Sequence, residues 1–92
     1  EYDLDIMLAK LRKLIICRNA YWKIAGEEMG LGKPWEPDWK GEGCYVIVNL
    51  RGDIVTDVQW HANAIFAFPT EKMRDAFYEN FKNEIEQCKE LL

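Results

Sequence analysis

The sequence contains no serine and a single histidine, His61. The absence of serine excludes a serine nucleophile and the G-x-S-x-G turn that presents one in hydrolases. Cys44 and His61 are the nucleophile–base pair that the composition leaves open, although such a pair also needs a group that orients the base. We therefore expect a protein that is not an enzyme, assign no catalytic residue, and keep a small enzyme using Cys44 and His61 as a third alternative.

Motifs that bind metals or phosphates are missing as well. The carboxylates follow neither the EF-hand nor the H-E-x-x-H spacing. Gly30 and Gly32 are followed by Pro34 and Trp35, where a phosphate-binding helix would have to begin. We predict no metal site and no cofactor.

Cysteine is sparse and long apolar runs are absent. Cys17, Cys44 and Cys88 are an odd number at wide spacing, which argues against a disulfide framework and against a cysteine metal site. There is no apolar run of about 18 residues that could cross a membrane and no signal-peptide pattern. We expect a cytoplasmic protein whose cysteines are small core residues. The chain begins with Glu1 and not with Met, so we also expect residues to precede it.

Positive charge is in deficit, with a formal net charge of −4 and a pI of about 5.0. An acidic chain is poorly suited to binding phosphate backbones, since positive charge supplies most of that affinity. One cluster runs against this trend, namely Lys10, Arg12, Lys13 and Arg18. It keeps a nucleic-acid-binding accessory protein as the second alternative.

A long first helix is predicted from about Asp5 to Met29. Asp3 or Asp5 can cap its start, and glycines at Gly30 and Gly32 can end it. Apolar residues recur at helical spacing along it, and Ile6, Ile16 and Tyr21 broaden the apolar face beyond a narrow stripe. A helix that is apolar on more than one side is covered by more than one layer. We expect this helix to run through the middle of the domain or to pair with another chain.

The middle of the sequence predicts three strands, after a loop over residues 30–43. They span about residues 44–50, 54–60 and 64–68, with turns at Arg51–Asp53 and His61–Asn63. The connections are too short for crossovers, so we expect an antiparallel meander. The Arg-Gly-Asp triplet is explained by the glycine that a tight turn needs, and we draw no adhesive function from it.

The chain ends in a second predicted helix over residues 70–91. Pro69 ends the third strand, Thr70 can cap the helix, and an apolar stripe follows from Met73 through Phe77 to Cys88. We place Arg74 on the wet face, paired with Glu71. The predicted fold is a single α+β domain over residues 1–92, a two-layer sandwich of both helices on one face of the sheet.

Aromatic residues are the most suggestive feature of the sequence. The loop KPWEPDWKGEG holds Trp35 and Trp39. Tryptophans either pack as cover over a core or bind a partner, which can be a protein or, by stacking, a sugar or an unpaired base. Rigid prolines and turn glycines around them favour the first role. The second role remains open, and the candidate interaction surface is Trp35, Trp39, Tyr45, Trp60 and His61.

The same loop carries a resemblance. Trp35, Pro37, Asp38 and Trp39 form a W-x-P-D-W motif, and a strand running into Phe68, Thr70, Ala76, Phe77 and Phe81 follows it. In these features the chain resembles small uncharacterised proteins encoded in phages and prophages of gut Bacteroidetes. The resemblance covers roughly residues 20–81 and implies an origin in a virus or mobile element, an intracellular setting in a bacterium, and no catalytic residues.

The function predicted first is a non-enzymatic protein–protein interaction or assembly module. This prediction rests on the wide apolar face of the first helix, because a chain of 92 residues has little other structure that could cover it. A protein partner or self-association into a homo-oligomer would cover that face.

Overall fold

The computed structural model describes residues 3–38, 43–60 and 64–92. Helix α1 spans Leu4–Glu28 and helix α2 spans Glu71–Gln87, with a short 3-10 turn at Lys89–Leu91 after it. Between the helices lie strands β1 (Cys44–Leu50), β2 (Asp53–Gln59) and β3 (Phe66–Phe68). The predicted α+β architecture is confirmed: both helices pack together with a three-stranded antiparallel sheet. No helix among these residues is long and apolar enough to cross a membrane.

Both ends of α1 are closed by local hydrogen bonds. At the start, the side chain of Asp3 accepts a 2.8 Å bond from the Asp5 amide, which satisfies one of the free donors of the first turn. At the other end, Gly30 has a φ of 69° and Leu31 donates to the Gly26 carbonyl at 2.9 Å. This is a Schellman ending, and it needs a residue that tolerates positive φ.

The order of the strands corrects the predicted meander. The order is β2-β1-β3, so β3 pairs with β1 and not with β2. The physical reason lies in the burial of the strands. Val46 and Ile47 of β1 are buried and profit from neighbours on both sides, whereas Thr56 and Asp57 of β2 are exposed and suit an edge. β3 is also shorter than predicted, beginning at Phe66 and not at residue 64.

The main core lies between the sheet and the two helices. Thr70 caps α2 by accepting from the Met73 amide, and the predicted stripe then places Phe77, Ile85 and Cys88 inside. Phe77 is the centre of an aromatic cluster, with ring centroids 4.8–5.4 Å from those of its four neighbours. These neighbours are Tyr21, Phe66, Phe68 and Phe81.

The opposite face of the sheet carries a second, smaller core. Cys44, Val46 and Ala67 are buried there, and Trp35 from the loop after α1 packs against them. The loop reaches this face by crossing α1 closely: a Cβ added to Gly26 would lie 2.0 Å from the Lys33 carbonyl oxygen. The loop is therefore a cover for the sheet, and glycine at position 26 makes the crossing sterically possible.

Candidate interaction surface

The predicted aromatic surface is divided by the sheet. Trp35 packs on the face that holds Cys44 and Val46. Tyr45 points to the other face, where the Arg74 guanidinium lies 5.6 Å from its ring centroid, because successive side chains of a strand alternate. Trp60, which is 52% exposed, lies beside Gly43 at the end of the sheet.

Trp39 and His61 lie outside the described residues. Of the five predicted surface residues, Trp35, Tyr45 and Trp60 can therefore be placed, and the structure does not bring these three together in one patch. The predicted pairing of Cys44 with His61 likewise remains a prediction. Burial raises the pKa of the Cys44 thiol, the Asp38 charge adds to the rise, and a backbone hydrogen bond from Asp38 opposes it. A raised pKa keeps the thiol protonated at neutral pH, the reverse of an activated nucleophile.

Trp35 is held by α1 as well as by the sheet. Its amide donates a 2.9 Å bond to the Trp22 carbonyl, and the two indoles meet edge to face with centroids 5.6 Å apart. Trp22 in turn donates from Nε1 to the Ala67 carbonyl at 2.8 Å. The loop, the first helix and the third strand are thus joined through two tryptophans, which is the covering role that the sequence favours for Trp35.

Arg18 repeats this edge contact one helical turn earlier. Its guanidinium donates to the Ile65 carbonyl at 2.9 Å and lies 3.8 Å from the Trp22 ring centroid. Burial lowers the pKa of Arg18, but an arginine stays charged at neutral pH. Arg18 is consequently committed to the fold and not presented to a phosphate backbone.

The remaining cations of α1 do not form one basic face. With about 100° between successive helical residues, Arg12 points away from Lys10 and Lys13, which line the same groove. Arg12 and Lys13 are exposed, whereas Lys10 is partly buried at a groove between the two helices. The basic cluster seen in the sequence is thus dispersed around the helix, which weakens the nucleic-acid alternative.

Two shallow grooves follow the seam between the helices. The first is about 480 Å³ and runs past Lys10, Asn80 and Glu84. The second is about 240 Å³ and runs past Tyr21 and Glu28. A 2.8 Å hydrogen bond from Asn80 to the Tyr21 hydroxyl bridges the two helices beside these grooves.

Within residues 3–38, 43–60 and 64–92, no group of three or more His, Cys, Asp or Glu side chains could hold a metal ion.

One side of α1 is exposed in the described structure, and two residues at its border, Lys13 and Ile24, also line the grooves toward α2. We call this side the outer face; all its members are exposed and recur at spacings of three and four residues. They are Ile6, Ala9, Lys13, Ile16, Ala20, Ile24 and Glu27. Ile16 is 64% exposed, and Ile6 and Ile24 are each 50% exposed. Of the two arrangements that the sequence allows for this helix, a course through the middle of the domain is therefore wrong.

Tyr21 departs from this group. The sequence places it with Ile6 and Ile16 as a residue that widens the apolar face, but its ring packs edge to face on Phe77, with centroids 5.1 Å apart.

The chain matches no protein-family model, and no curated protein or solved structure is significantly similar to it. Any functional inference accordingly starts from the surface itself.

Proposed function

We propose that the protein is a non-enzymatic assembly module that works by protein–protein contact and associates with itself through the outer face of α1. The observation that carries this proposal is the exposure of Ile6, Ile16 and Ile24 along one side of a helix. Isolated apolar side chains on a surface are normal, but a row of them on one face is typical of an interaction site.

The other exposed apolar side chains are also concentrated on α1, although not all of them lie on the outer face. Of the large ones in the described part of the chain, most belong to α1 or to the turn after it, and Leu50 and Trp60 lie elsewhere. Those on α1 and its turn are Leu4, Ile6, Leu8, Ile16, Ile24, Met29 and Leu31. Most other large apolar side chains of residues 43–60 and 64–92 are buried or partly buried, so the exposure is concentrated on this helix.

The resemblance to phage and prophage proteins supplies a setting for such a module. A small assembly protein of this kind would act in the cytoplasm of a bacterial host cell, with no cofactor. A viral or mobile-element origin is part of the proposal and is supported by the W-x-P-D-W motif from Trp35 to Trp39.

Sedimentation velocity from low to high micromolar concentration tests the proposal. We expect concentration-dependent association of the wild-type chain. Ile16→Lys should shift the protein to the monomer, because it places a charge in the middle of the outer face. Leu50→Lys is the matched control, since Leu50 is 58% exposed but lies at the hairpin, and it should associate like the wild type. A wild-type chain that stays monomeric throughout would overturn the proposal.

A further inference from the structure

We infer that the partner is a second copy of this chain, bound with the two α1 helices antiparallel and crossing at Ala20. This inference rests on the proposed function, because it assumes association through the outer face. The members of the outer face recur over nearly the whole of α1, which has 25 residues and is about 37 Å long at ~1.5 Å per residue. With the crossing at Ala20, the two helices overlap over residues 12–28 of each copy.

The charges on the outer face select the antiparallel direction. Lys13 lies toward the start of the helix, Glu27 lies at its end, and both are exposed. In a parallel pair, Lys13 would lie beside Lys13 of the second copy and Glu27 beside Glu27, so that like charges meet. An antiparallel pair brings Lys13 of one copy to Glu27 of the other, and two-fold symmetry forms this contact twice.

The position of the crossing follows from the same contact. If Lys13 faces Glu27 of the second copy, the two-fold axis passes Ala20, and Ile16 then faces Ile24 of the second copy. Small residues at a crossing allow two helices to approach closely, and Ala20 is exposed there with its small side chain. In this register Ile16 and Ile24 meet across the pair and the small Ala20 occupies the crossing, whereas Ile6 lies beyond the overlap of the two helices.

A neighbouring charge fits the same register. Glu28 is exposed and lies on the side of α1 that faces α2, as Lys10 does. In an antiparallel pair, residues on the same side of the two helices approach each other, so Glu28 of one copy comes near Lys10 of the other. Moving the crossing to Ile16 would instead bring Lys13 to Asn19 of the second copy, and the opposite charges would no longer meet.

Charge exchange tests the pairing. Lys13→Glu and Glu27→Lys should each weaken the dimer about tenfold, because each replaces two attractive contacts with two repulsive ones. The double variant restores opposite charges in the antiparallel register and should recover to within about threefold of the wild type. Lys23→Glu is the control for charge alone, since Lys23 is exposed but lies beside the outer face. It should weaken the dimer less than Lys13→Glu does, and an equal loss would contradict the pairing.

Cysteine cross-linking tests the crossing point. In a Cys17→Ala background, Ala20→Cys should form a disulfide-linked dimer under mild oxidation, because a disulfide requires Cα atoms within about 7 Å. Ile16→Cys alone should not cross-link, since its two copies would be separated along the helices. An equimolar mixture of the Ile16→Cys and Ile24→Cys variants should form the mixed dimer.

The outcomes separate the inference from the proposed function. Recovery in the double variant together with the Ala20→Cys cross-link supports the antiparallel pair. If the chain associates and Ile16→Lys dissociates it, but the double variant does not recover or Ala20→Cys does not cross-link, this arrangement is overturned and self-association stands. If the wild-type chain is monomeric, both are overturned. Circular dichroism of each variant verifies that the fold is retained.

Discussion

The indole of Trp22 donates a 2.8 Å hydrogen bond to the carbonyl of Ala67 in strand β3. Among the strands of the described residues, β3 pairs with β1 alone, so carbonyls on its other side face none of these strands. Arg18 likewise donates a hydrogen bond to the Ile65 carbonyl. Two side chains of α1 therefore take the place of a fourth strand at this edge, which removes a surface on which other strands could pair.

The contribution of this bond can be measured with Trp22→Phe. The substitution keeps an aromatic ring but leaves the Ala67 carbonyl without its donor, so we expect a loss of about 1–2 kcal/mol in the free energy of unfolding. Urea denaturation followed by circular dichroism provides the value. Trp60→Phe serves as the control at an exposed site, and an equal loss in both variants would contradict the role of the bond.

The covering role of Trp35 predicts a large difference between two tryptophans. Trp35→Ala should cost about 2–4 kcal/mol, because it uncovers Val46 and Ala67 on the second face of the sheet. Trp60→Ala should cost less than about 1 kcal/mol, as expected for a half-exposed side chain. Equal costs, measured by chemical denaturation, would show that Trp35 is no more structural than Trp60.

Arg74 is predicted to stabilise the fold through its burial and not through its ion pair. Its side chain is 9% exposed, whereas that of its partner Asp75 is 54% exposed. Arg74 also donates to the Asp57 carbonyl of β2 and stacks over Tyr45. Arg74→Ala should therefore cost about 2–3 kcal/mol, and Asp75→Ala less than about 1 kcal/mol. Thermal and urea unfolding of both variants measure the two losses of stability. A larger loss for Asp75→Ala than for Arg74→Ala would contradict the prediction.

The three cysteines should differ in their reactivity with a thiol reagent. Cys44 and Cys88 are buried, and burial raises the pKa of both thiols. Both effects lower the amount of accessible thiolate. We expect Cys17, which is partly exposed, to be labelled first in the native protein. Mass spectrometry after timed maleimide labelling checks this, and early modification of Cys88 would contradict the described core.

Local patterns in the sequence predict much of this fold. Thr70 caps α2 as predicted, Asp3, one of the two residues predicted for the start of α1, caps that helix, and the tight turn has positive φ at Arg51 and Gly52. These features depend on neighbours along the chain, so sequence spacing reveals them. The cysteines also follow the prediction in part, since Cys44 and Cys88 are core residues and Cys17 is partly exposed.

Features set by distant parts of the chain were not predictable in this way. The strand order depends on which strand is buried on both sides. Arg74, which the sequence places on the wet face, is buried because it meets Asp57 and Tyr45 from the sheet. Likewise, the sequence groups Arg18 with a basic cluster, but in the fold Arg18 donates to the Ile65 carbonyl, 47 residues away. Of the outer face of α1, only Ile6 and Ile16 were predictable from the sequence, as apolar residues in excess of a narrow stripe.

The central position of β1 also has a consequence for the route of folding. β1 and β2 are joined by a turn at Arg51 and Gly52, and a hairpin of this type forms in about 1–10 μs. β3 can join only after the chain has passed β2, and its contact with Trp22 closes a separation of 45 residues. Non-local contacts slow folding because their loops must close first. The hairpin should therefore form early, and the attachment of β3 and α1 should determine the folding rate.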